Sequence, residues 1–216
     1  MKPSFWHKCW ERNALGFHQE TVQPFLEQFL LPRLTSTTQH VFLPLCGKSL
    51  DMVWLAQKMK VSGSELSEIA CRDFFQEKDL PFQQHQHHDF TIFSHQNIEL
   101  WQGDFFKLLP AELGNIDWIY DRAALIALPM SMQQQYAQHL SHFISDQTSL
   151  FLISLEFPQE ELAGPPFSIS SLKVVQLFSG FTVDCIAEQE LTDKKFAQRT
   201  FNVSHLVERL YLIKKK

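Results

Sequence analysis

Short apolar runs alternate along the chain with longer segments whose apolar residues recur at helical spacing. Four runs have the length and composition of strands that are buried on both faces of a sheet: His40–Leu45, Val61–Leu66, Ile116–Tyr120 and Ser149–Phe157. Ser49 and Ser67 each precede a helical pattern and are of the residue type that caps helix N-termini. This alternation predicts a parallel sheet with helices on both faces.

The remaining segments complete the predicted fold. Helices are expected at Thr21–Leu30, from Pro129 to about Ser145, and at Ser170–Phe178, and a hairpin is expected from Phe90–Phe93 and Ile98–Trp101. The end of the chain is predicted to form two strands, Phe181–Leu191 and His205–Ile213, with no helix between them. One of the two should therefore run antiparallel to the other strands of the sheet. We therefore predict a single doubly wound α/β domain over residues 1–216, with residues 1–35 as an N-terminal helical extension.

Composition narrows the possible partners. The 216 residues include only 7 glycines and carry a formal net charge of −5, which argues against nucleic acid and anionic membranes as partners. No apolar stretch reaches the ~18 residues of a transmembrane helix, and the N-terminus lacks a secretory apolar core. The four cysteines include no CxxC pair, so we expect reduced thiols and a cytoplasmic protein.

The turn after the first predicted strand contains Gly47, Lys48 and Ser49. A P-loop needs a glycine five positions before Gly47, where the chain has Phe42, and a dinucleotide fingerprint needs three spaced glycines. Glu65 ends the second strand, and an acidic residue roughly 20 positions beyond such a turn accepts hydrogen bonds from ribose hydroxyls. The pattern favours a nucleoside without a diphosphate, such as S-adenosylmethionine. The alternative is a surface Glu65 that caps the helix after Ser67.

Three further residues stand at predicted strand ends. Asp104 could accept a hydrogen bond from an adenine amino group, with Phe105 against the ring, and Arg122 places a cation at the mouth of a central strand. The alternative for Arg122 is a salt bridge with Asp121 or Asp104.

Two further polar features, Lys48 and a histidine-rich run, are not assigned a role in catalysis. Lys48 is interpreted as a surface residue, and the alternative is a partner of the cofactor carboxylate. The run His85-Gln86-His87-His88-Asp89 lacks the helical spacing of a zinc site and is interpreted as a solvated approach to the hairpin.

Taken together, the motifs resemble the thiopurine S-methyltransferase family. The resemblance rests on Trp6 and Trp10 with Gly16–His18, Val41–Met52, Glu65–Ala70, Gly103–Phe106, Tyr120–Leu125 and Gly164–Phe167, which follow one another in family order. It implies a class I methyltransferase fold, with a mostly parallel seven-stranded sheet. It also implies methyl transfer from S-adenosylmethionine to the sulfur of an aromatic or heterocyclic thiol, with S-adenosylhomocysteine as the product.

The resemblance also implies residue roles. It implies cofactor contacts at Trp10, Leu45, Glu65, Asp104, Phe105 and Arg122, a catalytic role for Arg122, and substrate contacts at Phe17 and Arg199. One departure is the stretch Gln57–Val61, which is shorter than in the family and lacks a glycine, so a rebuilt turn is expected before the second strand.

The expected partner is a small-molecule thiol, the expected chain is a monomer, and no metal is expected. Two other functions stay open: methylation of selenium or tellurium species, and non-catalytic binding of S-adenosylmethionine or S-adenosylhomocysteine.

Overall fold

The computed structural model describes residues 3–216. Of these residues, those up to Asp117 form one compact unit and Trp118–Lys216 form a second.

The first unit is a five-stranded sheet with helices packed on it. Its elements are α1 (Pro3–Glu11), β1 (His40–Leu43), α2 (Leu50–Ala56), β2 (Lys60–Glu65), α3 (Glu68–Gln76), β3 (Gln83–His87), β4 (Phe90–His95), β5 (Ile98–Gln102) and α4 (Pro110–Leu113). The strands lie in the order β3-β4-β5-β2-β1. Of these strands, β1, β2 and β5 are parallel, and β4 is antiparallel to both β3 and β5. The carboxyl ends of β1 and β2 therefore lie at the same edge.

Both predicted serine caps are confirmed. Ser49 accepts a hydrogen bond from the Asp51 N–H at the start of α2, and Ser67 accepts one from the Ala70 N–H at the start of α3. The turn between α2 and β2 spans only residues 57–59, so β2 begins directly after a short loop. The caps and this short turn fix both helices against the strands that precede and follow them.

The second unit is a four-stranded sheet with its own helices. Its elements are β6 (Trp118–Arg122), α5 (Met130–Ser141), β7 (Ser149–Glu156), α6 (Ser171–Leu177), β8 (Phe181–Glu190), the short hairpin β9 (Lys195–Phe196) and β10 (Arg199–Thr200), and β11 (Val207–Lys215). The sheet order is β6-β7-β11-β8. β6 and β7 are parallel, and β11 is antiparallel to both of its neighbours, which confirms the antiparallel strand expected at the end of the chain.

The predicted doubly wound α/β class is confirmed, with differences in detail. Among the described residues, leaving aside the β9–β10 hairpin, the first unit has five sheet strands and the second has four, which is two more than the seven expected, because β3 and β4 are added at the sheet edge beside β5. The polar run at His85–Asp89 is thus partly strand rather than an unstructured approach: Gln83–His87 pairs with β4. Its exposed position at a sheet edge explains why it lacks the apolar alternation of a strand.

The helix predicted over Thr21–Leu30 starts later than expected. A π-helical turn covers Leu26–Leu30 and continues into a 3₁₀ turn at Leu31–Arg33. The backbone N–H of Gln23 donates to the carboxylate of Asp51 at 2.9 Å, and Pro24 disfavours helical geometry at the residue before it. This long-range bond holds the segment before Pro24 out of the helix.

The longest α-helix of the described chain has 12 residues, and no helix in residues 3–216 combines the length and apolarity needed to cross a bilayer.

Candidate functional site

The turn after β1 has an unusual backbone. Leu45 and Gly47 both have positive φ, 47° and 55°, a region that non-glycine residues rarely adopt. The turn is tied to β2, because the Leu45 N–H donates to the Ser64 hydroxyl at 3.2 Å and the Cys46 N–H donates to the Ser64 carbonyl at 2.9 Å. Strained backbone of this kind persists where surrounding contacts hold it, and it occurs often at ligand sites.

Glu65 lies beside this turn at the end of β2. Its side chain is buried, and its carboxylate accepts the Gly47 N–H at 3.0 Å and the Ser67 N–H at 2.8 Å. Burial raises the pKa of Glu65 to about 7, although the backbone N–H donors act in the opposite direction. The residue does contact the start of α3, as the alternative interpretation expected, but from a buried position that also reaches Gly47.

Aromatic residues of the N-terminal extension cover Gly47. A Cβ atom added to Gly47 would lie 3.3 Å from Trp10 Cζ2 and 3.8 Å from Phe17 Cε2. The Phe17 ring contacts both Trp10 and Trp6 edge to face, with centroids 5.7 and 5.9 Å apart. The indole therefore packs almost directly on the Cα of the glycine, and a larger residue there would displace it.

These residues fit a nucleoside better than a dinucleotide. A buried carboxylate at a strand end is a strong acceptor for two ribose hydroxyls. A diphosphate needs several backbone N–H groups in a glycine-rich turn, whereas here the Gly47 N–H is already directed at Glu65. The turn therefore lacks a phosphate cradle, and the Glu65 carboxylate beside it is a candidate acceptor for ribose hydroxyls.

The two residues expected beside an adenine lie in different surroundings. Asp104 is exposed and caps the 3₁₀ turn Phe105–Lys107 by accepting the Phe106 N–H at 3.0 Å. Phe105 is buried, and its ring stacks on that of Phe42 from β1, with centroids 6.3 Å apart. Phe105 therefore packs the turn after β5 against the core residues of β1.

Arg122 and Arg199 belong to the second unit, where Phe196 connects them. Arg122 ends β6, and its guanidinium carbon lies 4.7 Å from the centroid of the Phe196 ring. Arg199 pairs with Phe196 across the β9–β10 hairpin, and it donates to the Pro165 carbonyl at 2.6 Å. Sequence reasoning missed Phe196, because nothing in a lone phenylalanine near the C-terminus indicates a cation–π contact.

The interpretation of Lys48 as a surface residue is wrong. Its side chain is only 6% exposed, and its Nζ lies 2.5 Å from Glu77 Oε1 at the end of α3. Burial of the alkyl stem and pairing with this partly exposed carboxylate account for its position.

The histidine-rich run gives no clustered metal ligands. The His87 ring packs edge to face on Trp101, with centroids 5.3 Å apart. In the described part of the chain, no three His, Cys, Asp or Glu side chains are grouped so that they could hold a metal ion.

The chain was compared with a family model and with curated relatives. The family model for thiopurine S-methyltransferase matches residues 1–216. Thiopurine S-methyltransferase from Pseudomonas fluorescens is 40% identical, covering 100% of this chain and 98% of the relative, and that from Pseudomonas putida is 41% identical, covering 100% of both.

Solved structures are similar at the level of the fold. A SAM-dependent methyltransferase from Anabaena variabilis matches with a TM-score of 0.67 at 16% identity, covering 99% of this chain and 95% of that one. A Burkholderia thailandensis 1,6-didemethyltoxoflavin-N1-methyltransferase, with S-adenosylhomocysteine bound, matches with a TM-score of 0.65 at 11% identity over 99% of this chain and 87% of that one. The expected class I methyltransferase fold is confirmed.

Proposed function

Because the chain belongs to the thiopurine S-methyltransferase family, a family of SAM-dependent enzymes, we propose that it methylates the sulfur of aromatic and heterocyclic thiols such as thiopurines. The observation that carries the proposal is the buried Glu65, hydrogen-bonded to the Gly47 turn beneath Trp10. The acceptor is a small-molecule thiol, and the products are its methyl thioether and S-adenosylhomocysteine.

In this proposal all of the cofactor contacts except that of Arg122 come from the first unit. Glu65 accepts hydrogen bonds from the two ribose hydroxyls, and Leu45, in the turn that Ser64 holds beside Glu65, is assigned a cofactor contact on the resemblance. Trp10 and Phe17, from the extension at residues 1–35, exclude water from this end of the site. Asp104 and Phe105 are assigned to the adenine side on the resemblance, and the exposed carboxylate of Asp104 is the group that an amino donor could reach.

The proposed acceptor side lies with Arg122 and Arg199, and Phe17 is the aromatic residue proposed to contact the acceptor from the extension. S-adenosylmethionine supplies an activated methyl group on its sulfonium, so the chain needs no metal for the transfer. The thiol first loses its proton to solvent. Its sulfur then forms a bond to the methyl carbon as the carbon–sulfonium bond breaks. A guanidinium beside the sulfur stabilises the thiolate and lowers the thiol pKa.

Replacement of Arg122 tests this assignment. We expect Arg122→Ala to lower kcat/KM for an aromatic thiol by about 100-fold, the size of effect seen when one transition-state donor is removed. Arg209→Ala is the matched control, because Arg209 is also partly buried in the second unit and pairs with Glu156 and Glu188. Equal turnover and cofactor affinity in Arg122→Ala and the wild type would remove Arg122 from the mechanism.

Calorimetry with S-adenosylhomocysteine separates the remaining alternatives. Binding together with methylation of a thiopurine supports the proposal. Binding without transfer to any thiol indicates a non-catalytic binder, and transfer only to selenium or tellurium species indicates the other acceptor class. Absence of binding overturns the cofactor assignment itself.

A further inference from the structure

The chain turns sharply after β6, and a buried carboxylate organises the turn. Asp121 has no exposed surface, and its Oδ1 accepts the backbone N–H groups of Ala124 and Leu125, both at 3.2 Å. Its Oδ2 accepts the hydroxyl of Tyr136 from α5 at 2.7 Å. A carboxylate with three donors holds the turn and the helix together, because charge-assisted bonds are stronger than neutral ones.

Arg122 lies inside the turn that the Asp121 carboxylate holds. It follows Asp121 directly, and the next residue, Ala123, has a φ of 65°, which is rare for a side chain with a Cβ. The hydrogen bonds from the Ala124 and Leu125 N–H groups tie this segment to the Asp121 side chain, so the backbone on both sides of Arg122 is held in one conformation. The direction of the Arg122 side chain therefore depends on the Asp121 carboxylate.

We propose that Asp121 and Tyr136 act together as positioning residues for Arg122, with Tyr136 orienting the Asp121 carboxylate that fixes the turn. The inference rests on the proposed role of Arg122 in thiol methylation. Tyr136 lies on a different element from Arg122, and nothing about it in the sequence indicates a link to the reaction. Its hydroxyl adds a donor that the turn alone does not provide.

The hydrogen bonds to Asp121 predict that the position of Arg122 depends on pH. The carboxylate must be ionised to accept all three donors, and burial raises the pKa of Asp121 to about 6 while the Tyr136 hydroxyl acts to lower it. From α5 the ionisable group that reaches the carboxylate is Tyr136. The 3₁₀ turn Leu125–Ala127 carries no ionisable side chain, Asp121 pairs in register with Leu152 on β7, and Arg122 is its charged neighbour on β6. Loss of the hydroxyl should move ionisation of Asp121 to higher pH.

The test compares two buried tyrosines of the second unit. Tyr136→Phe removes the donor to Asp121, and Tyr211→Phe removes a buried hydroxyl that bonds to Ser171 at 2.7 Å. The readouts are the pH profile of kcat/KM for an aromatic thiol at saturating S-adenosylmethionine, and the thermal unfolding midpoint. We expect Tyr136→Phe to lower kcat/KM about tenfold near pH 7 and to move its acidic limb up by about half a pH unit or more. We expect Tyr211→Phe to keep the wild-type profile even where its unfolding midpoint falls.

A double variant distinguishes positioning from loss of stability. If Tyr136 acts through Asp121, Tyr136→Phe added to Asp121→Asn should change kcat/KM less than about twofold. A Tyr136→Phe profile that matches Tyr211→Phe, or fully additive effects in the double variant, would overturn the positioning role while wild-type activity still supported the proposed function. An inactive wild type would refute the proposed function, and the positioning role with it.

Discussion

Glu65 is the residue whose chemistry most constrains the cofactor proposal. Its carboxyl lies between two backbone N–H donors, and burial raises its pKa to about 7. The place of Glu65 at the end of β2 could be predicted from the apolar run before it. Its burial and its bond to Gly47 could not, because both depend on how the turn after β1 packs on β2.

The pKa of Glu65 predicts a pH-dependent cofactor affinity. Ribose hydroxyls donate best to the ionised carboxylate, so binding at low pH must first release the carboxyl proton. We expect the affinity for S-adenosylhomocysteine to rise with pH up to about 7, by at most about tenfold per pH unit, and then to level off. Calorimetry at pH values on both sides of 7, in buffers of different ionisation enthalpy, measures both the affinity and the released proton.

Glu65→Gln provides the control for this measurement. The amide cannot ionise, so this variant should bind more weakly above pH 7 and lose the slope below it. A wild-type affinity that stays flat between acidic and neutral pH would contradict the role of Glu65.

The same pKa shift acts on the stability of the fold. The raised pKa of Glu65 stabilises the ligand-free fold below the ordinary value of 4.5, and this contribution is lost as pH rises through about 7.

At the scale of elements, the contact between the N-terminal extension and the turn after β1 matters most. Trp10 on α1 packs on Gly47, and Asp51 at the start of α2 accepts the Gln23 N–H from the same extension. The sequence allowed the helices and central strands to be predicted from periodicity and caps. It did not indicate that the helix begins only at Pro24, or that β9 and β10 form a hairpin, because long-range contacts and two-residue strands leave little local pattern.

Gly47→Ala tests the contact between the extension and the turn. An alanine at a φ of 55° costs about 1 kcal/mol or more in the free energy of unfolding, and its Cβ would press on Trp10 at 3.3 Å. We therefore expect lower stability together with about fivefold or greater loss of S-adenosylhomocysteine affinity, measured by chemical denaturation and calorimetry.

Gly114→Ala is the control for backbone strain, since Gly114 has a φ of 72° and a ψ of −151°, a conformation that alanine avoids, while an added Cβ would lie in open space. It should lower stability while keeping the affinity within about twofold of the wild type. Equal losses of affinity in both variants would mean that strain alone explains the effect and that the Trp10 contact has no role in binding.

At the scale of the whole molecule, the fold class and the family could be predicted from the sequence, whereas the contacts within the site could be predicted only in part. Motifs from Trp6 to Phe167 identified the family because each combines residue types in a fixed order. The partners of those residues were not predictable: Phe196 lies over Arg122, and Tyr136 reaches Asp121 from a separate helix. Such contacts arise from tertiary packing and leave no mark in local sequence.

Thiol methylation by this chain is tested most directly by following the methyl group itself. The purified protein is incubated with S-adenosylmethionine that carries a ¹³C-labelled methyl group and with a thiopurine, and the products are analysed by mass spectrometry and NMR. We predict a thiopurine that carries the label on sulfur and an equal amount of S-adenosylhomocysteine. Absence of label on sulfur, under conditions where calorimetry shows that S-adenosylhomocysteine binds, would contradict the proposed function.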